Sequence, residues 1–287
     1  MRRTNQSTAV WREPGIGATQ VAAVMGCAVE RDQKPFVLWA QILQDREWKL
    51  VRKAAELAQD SPEWHRWRND GWGGSEIGSL MGVNPYRDGS PTDAVRGKIA
   101  AREGTEVRRN ENPNMRRGKA KEPEARAMYE RLMGWEAKPL CVLHDEHDFV
   151  RCSLDGIRPD DDLILEIKCP GGRNHEKFLQ CAAVPEPLIR QQLFAHCFDY
   201  YRYQVLYQLL ITGASRCHFV SYCPGEFSGH DQFALIELFP EPFEQERVLE
   251  RVAAFWGFVE RRELPPPEWL EPAARPPEVL GGAVDRD

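Results

Sequence analysis

Apolar and polar positions along this chain follow two different periods, and the changes of period mark its elements. Over residues 116–134, Ala125, Met128, Tyr129 and Leu132 recur at three- and four-residue spacing, which predicts a helix closed by Gly134. Three strand-like stretches follow at 138–143, 149–155 and 162–169. A helix is predicted from about 198 to 212, ending at Gly213, and His218-Phe219-Val220-Ser221-Tyr222 returns as a strand. A further amphipathic helix spans roughly 241–262. Upstream, Ser61-Pro62-Glu63-Trp64 leads into a helix expected to begin near Ser75, and residues 1–60 read as a helical extension. The stretch from Pro265 is rich in proline, has no packing pattern and is expected to be disordered. The expected division is therefore a 1–60 extension, a 61–262 main domain and a 263–287 tail.

The chain also resembles itself. Residues 11–26, WREPGIGATQVAAVMG, align without a gap onto 67–82, WRNDGWGGSEIGSLMG, with six of sixteen positions identical. The match suggests a partial duplication whose first copy is now structural; two glycine-rich helix starts can also coincide by chance.

Composition narrows the class without fixing it. With 42% apolar and 29% charged residues over 287 positions, the chain suits a soluble globular protein of one sizeable domain with additions. No apolar run approaches the ~20 residues that span a bilayer, and the basic start Met1-Arg2-Arg3 lacks the apolar core of a secretory signal. The chain thus reads as cytoplasmic, with no membrane partner. Its eight cysteines include no C-x-x-C pair, so they read as small buried apolar residues rather than zinc ligands or disulfides.

A net charge of −6 does not favour nucleic acid, but the charge is uneven. Between Arg96 and Arg131 lie Lys98, Arg102, Arg108, Arg109, Arg116, Arg117, Lys119, Lys121 and Arg126, while Asp160-Asp161-Asp162 and the segment from Glu237 are acidic. Such a basic run fits a solvated helix face or a DNA contact. His144-Asp145-Glu146-His147-Asp148 lies between two predicted strands and reads as a solvated turn rather than a metal site.

The strongest chemical signal is Ser153-Leu154-Asp155-Gly156 followed by Leu165-Glu166-Ile167-Lys168-Cys169-Pro170. Side chains alternate along a strand, so Glu166 and Lys168 share one face while Leu163, Leu165 and Ile167 take the other. Arg158-Pro159-Asp160-Asp161-Asp162 is turn chemistry, and a hairpin there sets Asp155 opposite Glu166. Two carboxylates facing each other call for a cation, and hard oxygen donors suit magnesium. An exposed, salt-bridged hairpin would carry the same residues, so this pattern alone leaves both readings open.

Five blocks in order extend the pattern: Trp64-His65-Arg66-Trp67-Arg68 with Gly74-Ser75-Glu76-Ile77; Arg117-Gly118-Lys119-Ala120-Lys121-Glu122-Pro123-Glu124-Ala125-Arg126; the two strands above; and Tyr203-Gln204-Val205-Leu206-Tyr207-Gln208 running to Gly213 and Phe219-Val220-Ser221-Tyr222. Over roughly 63–224 the chain resembles the YqaJ-like viral recombinase and phage lambda exonuclease family of PD-(D/E)XK nucleases. The resemblance implies an α/β fold with a restriction-endonuclease-like core, a mixed central β-sheet flanked by helices. It implies a magnesium-dependent DNA exonuclease, with manganese as a substitute ion, acting 5′-to-3′ on duplex DNA to expose single strands for annealing. Glu122, with Glu124 as a rival, would join Asp155 and Glu166 as metal ligands, with Lys168 and Gln204 beside them; Gln191 is the weaker candidate for the glutamine. Gly118 would admit close approach of a ligand. Arg68 and Ser75 match residues that hold a terminal DNA phosphate, and Ser75 at a helix start would favour an anion. Tyr200, Tyr201, Tyr203 and Tyr207 could stack on bases or pack in the core. Further implied partners are a single-strand annealing protein and copies of the chain in a ring-shaped trimer, in a phage or prophage protein of a bacterial host. Two alternatives stand beside this reading. One is a relative with another role, an endonuclease or an iron–sulfur nuclease of CRISPR adaptation, which the cysteine spacing opposes. The other is a non-catalytic DNA-binding or defence-interfering protein, which the intact Asp155, Glu166 and Lys168 oppose.

Overall fold

In a computed structural model, the structure describes residues 54–55, 57–86, 89–105 and 113–271. The 11–26 copy of the repeat, Arg108 and Arg109 lie outside them. Ala54–Ala55 form a short strand, β1, where a helix was expected, because they pair with a later strand. Helix α1, Pro62–Asn69, starts at Ser61, whose hydroxyl accepts a bond from the Trp64 amide at 3.1 Å. A single 3₁₀ turn, Gly74–Glu76, leads into the four-residue helix α2, Ile77–Leu80. Helices α3, Pro91–Glu103, and α4, Pro113–Met133, follow.

Strands β2, Leu140–Leu143, and β3, Arg151–Leu154, form an antiparallel hairpin that β1 extends. The chain breaks at Asp155 and re-enters a second sheet as β4, Gly156–Arg158. That sheet runs β4-β5-β6-β7, with β5 at Leu163–Lys168, β6 at Arg216–Tyr222 and β7 at Phe233–Leu238. Only the β5–β6 pair is parallel, so the sheet is mixed. The crossover that parallel strands require consists of α5, Gly172–Ala182, α6, Pro187–Cys197, and α7, Asp199–Thr212. Helix α8, Pro242–Arg261, closes the unit. The glycines expected to stop α4 and α7 do so in the left-handed conformation, with φ of 73° at Gly134 and 67° at Gly213.

Strand alternation divides the core. Leu165 and Ile167 of β5 pack with Ala125 and Tyr129 of α4, whereas Ile164 joins Phe178, Phe194, Tyr203 and Leu206 on the other face. Helices therefore flank both faces of the sheet. Tyr203 and Tyr207 are buried and Tyr200 and Tyr201 partly so, which leaves half of the four near solvent. Tyr200 packs where Gly78 has no side chain: a Cβ there would come within 2.1 Å of the ring.

The tail differs from expectation over Pro265–Glu271. Trp269 packs edge-on against Phe255 and Phe258 of α8, and Arg251 donates to the carbonyls of Trp269 at 2.7 Å and Glu271 at 2.9 Å. The six described cysteines other than Cys197 are buried, and no disulfide links the described residues.

Candidate active site

The break at Asp155 organises the site. Gly156 pairs with Leu165, which sets Asp155 opposite Glu166, as the turn residues predicted. Past the end of β4, the Ile167 amide lacks a ladder partner on that side, and Asp155 Oδ2 accepts its hydrogen at 2.7 Å. Glu166, 2% exposed, lies between β5 and α7. Its Oε1 accepts from Gln204 Nε2 at 2.6 Å and from the Lys168 ammonium, and its Oε2 from Gln208 Nε2 at 2.6 Å. Lys168 also stands over the Tyr201 ring, 5.5 Å from its centre. Gln208 was not found from the sequence; its position one helical turn after Gln204 was the available signal.

Two carboxylates in so enclosed a place conflict. Burial, then Glu166 and Glu122, push Asp155 well above the usual aspartate range. Burial alone would lower Lys168, but Glu166 and Asp155 beside it outweigh burial and hold its ammonium above the ordinary lysine range.

Helix α4 supplies Glu122, whose carboxylate pairs with Arg126 at 2.8 Å. Arg126 also donates to the Asp155 carbonyl, tying α4 to the strand break. Its rival Glu124 points elsewhere, accepting from the Tyr222 hydroxyl at 2.7 Å. Gln191 is likewise remote, bound to Phe239 and Glu241. At Gly118 an added Cβ would meet no atom within 4 Å, so no crowding demands glycine there.

A cleft of about 140 Å³ brings these groups together with residues of α1 and the 3₁₀ turn. Glu122, Asp155, Glu166, Lys168 and Gln204 line it together with Trp64, Trp67, Arg68 and Ser75. All seven site residues read from the sequence thus share one cleft. The Arg68 guanidinium donates to the Ser75 hydroxyl, and the Tyr200 hydroxyl donates to the Ser75 carbonyl at 2.6 Å. Ser75 sits inside the 3₁₀ turn rather than capping a helix, and the helix beyond it has four residues, so Arg68 rather than a helix dipole supplies the positive charge.

The basic run is dispersed by folding. Lys98 is buried against Glu76, Arg126 is engaged with Glu122, Lys121 pairs with Glu124 and Lys119 with Asp60. The acidic turn at 144–148 is a hairpin loop as read, but His144 in it is 7% exposed and stacks on His147 at 5.3 Å, so it is not fully solvated.

Among the described residues, no three of His, Cys, Asp and Glu stand close enough to form a ready-made metal cage. Asp155 and Glu166 form a pair, and Glu122 is turned towards Arg126. The donors nevertheless suit a hard divalent cation. They are carboxylate oxygens, the charge at Asp155 is disfavoured without a cation, and the buried Gln204 Oε1 has no hydrogen-bond partner.

No curated protein matches the chain. Among solved structures, an alkaline exonuclease from Laribacter hongkongensis superposes with a TM-score of 0.56 at 23% identity, over 70% of this chain and 94% of that one. The same exonuclease in complex with dAMP gives 0.56 at 22% identity, with the same coverage. A phage-related exonuclease from Haemophilus somnus gives 0.49 at 14% identity, over 66% of this chain and 93% of that one. The first of these likenesses shows a shared fold, a mixed sheet flanked by helices. The model of the YqaJ-like viral recombinase domain matches residues 63–215, more than half of the 287, and the chain belongs to that family.

Proposed function

We propose that this chain is a metal-dependent DNA exonuclease that hydrolyses phosphodiester bonds in the cleft between Lys168 and Arg68. The observation that carries this reading is the convergence of Asp155, Glu166 and Lys168 at a strand break, in one cleft with Arg68 and Ser75. Family membership and the likeness in fold to an alkaline exonuclease support it.

Asp155, Glu166 and, once released from Arg126, Glu122 would hold magnesium, with manganese as substitute. When bound, the ion would polarise the phosphate and ease ionisation of a water near neutral pH. Gln204 and Gln208 fix the Glu166 carboxylate. Lys168 places an ammonium beside the scissile phosphate, where it stabilises developing negative charge. Arg68 and Ser75 would seat a terminal 5′ phosphate, because guanidinium binds phosphate through charge-assisted bonds. Seating that phosphate beside the carboxylates implies 5′-to-3′ digestion of duplex DNA, and the exposed strand would serve a separate annealing protein. A ring-shaped trimer in the cytoplasm of a phage-bearing bacterial host belongs to the same proposal.

The test is digestion of end-labelled duplex DNA with magnesium and with chelator. Linear 5′-phosphorylated duplex should be digested fastest, 5′-hydroxyl duplex more slowly and circular DNA hardly at all. Arg68→Ala should remove roughly tenfold or more of the phosphate preference. Equal cutting of circular DNA would turn the reading to an endonuclease, and no magnesium-dependent cutting would refute it.

A further inference from the structure

Lys98 is 4% exposed, an unusual fate for a lysine. Its ammonium donates to Glu76 Oε2 at 3.0 Å and to the Arg68 carbonyl at 3.2 Å, lies 2.9 Å from Glu76 Oε1, and stands 5.3 Å from the centre of the Trp72 ring. Glu76 in turn accepts from the Gly73 amide at 2.8 Å. These bonds link the end of α1, which carries Arg68, to the turn that carries Ser75. The turn then rests on the helix holding the acidic site, since a Cβ on Gly74 would lie 3.4 Å from Gln204 Cγ.

A buried ion pair is a weak stabilising device, often matched by apolar residues of the same volume. A second consequence of Lys98 is more specific. A Cβ built on Gly73 would lie 3.3 Å from Glu76 Oε2 and 3.5 Å from Arg68 Nε, so the Glu76 carboxylate and the Arg68 guanidinium are neighbours. Without Lys98, Arg68 is a cation within reach of Glu76. An arginine neutralised by its own neighbour holds a phosphate poorly.

We propose that Lys98 is a positioning residue for DNA-end recognition: it occupies Glu76, leaving the bonded Arg68–Ser75 pair unclaimed by that carboxylate and available to a terminal phosphate. This rests on the end-phosphate reading of Arg68 and Ser75 given above. Lys98 itself does not touch the DNA. It fixes the Arg68 backbone and removes a competing anion.

The probe is a pair of duplexes differing only in a 5′-phosphate or 5′-hydroxyl end, digested with magnesium by full-length protein. The readout is the ratio of their initial rates. Lys98→Met should lower that ratio about fivefold, which is what a competing part-exposed ion pair withdraws from Arg68. The double variant Lys98→Met/Glu76→Gln should recover most of the ratio, because the competing charge is gone while the Gly73 amide keeps an acceptor. A purely structural lysine would lower the melting temperature without moving the ratio, and the double variant would restore nothing. If Lys98→Met does not fold, Lys98→Gln, which keeps a donor but no charge, replaces it with the same expected fall. An unchanged ratio in the single variant, or no recovery in the double, overturns the proposal while Arg68→Ala still abolishes the preference. If wild type has no preference, or Arg68→Ala retains it, the end-phosphate reading fails and the role of Lys98 fails with it.

Discussion

Replacing Gln208 by leucine tests how the acidic site is held together. The two oxygens of Glu166 are not equally served: Oε1 receives both Gln204 and Lys168, whereas Oε2 receives Gln208. Gln208 is 1% exposed, so leucine at this position leaves a buried carboxylate oxygen without that donor. A hydrogen bond to a charged group contributes about 1.5–3 kcal/mol. Leucine also removes the buried Gln208 Oε1, which has no partner, and this offsets about 1 kcal/mol. The net loss is about 0.5–2 kcal/mol, or roughly 1–8 °C in melting temperature for a domain of this size. Gln204→Leu should cost less, because Lys168 still serves the same oxygen. Groups that orient a metal ligand also typically shift metal affinity by about 10–100-fold. Thermal melts with and without magnesium should therefore show Gln208→Leu melting lower and gaining less from the ion. A Gln208→Leu melt within about 1 °C of wild type, or a larger loss in Gln204→Leu, would refute this account of how Glu166 is held.

Two other expectations concern the rest of the fold. Ending the chain after Arg262 removes Trp269 and the carbonyls that Arg251 caps; two aromatic contacts and two such bonds together contribute about 2–4 kcal/mol. A clear fall in melting temperature is expected, and an unchanged melt would mean that Trp269 does not dock. His175 gives a pH dependence: burial pulls it below its usual 6.5, against the weaker upward pull of Asp231 and Glu226. Its Nε2–H donates to the Asp231 carbonyl at 2.7 Å and its Nδ1 lies 2.8 Å from the Ser221 hydroxyl, an arrangement that suits the neutral ring. As pH falls below 6.5 the unfolded chain takes up a proton that the folded one refuses, so stability falls. Denaturant titrations of His175→Gln should show a shallower acid decline, by up to about 1.4 kcal/mol per pH unit, and an identical slope would argue against a neutral buried imidazole.

Much of the placement of the acidic cluster was legible in the sequence because its constraints are local. The turn at Pro159–Asp161 sets the strand register, register sets Asp155 opposite Glu166, and alternation places Lys168 beside Glu166. The helix stops at Gly134 and Gly213 are equally local. The misread positions depend on residues distant in sequence. Lys98 looked like part of a basic stripe because Glu76, its partner, lies 22 positions earlier. Arg126 was read as part of the same basic run, whereas the carbonyl it holds belongs to Asp155, 29 positions later. Gln208 sits within an apolar helix and gains meaning only from a strand 42 positions before it. The proline-rich tail concealed Trp269, whose partners on α8 no period in the tail could signal.

The central claim, hydrolysis at the Asp155–Glu166–Lys168 cluster, is tested most directly by magnesium-dependent digestion of end-labelled duplex DNA by Asp155→Asn and Glu166→Gln. Each substitution removes one negative ligand with little change in volume, and Gln208 can turn its unpartnered oxygen towards the new amide at position 166. Loss of the ion's contribution to the transition state, several kcal/mol, predicts a fall in rate of at least about a thousandfold, with folding and DNA binding retained. Substantial magnesium-dependent digestion by either folded variant would contradict the assignment.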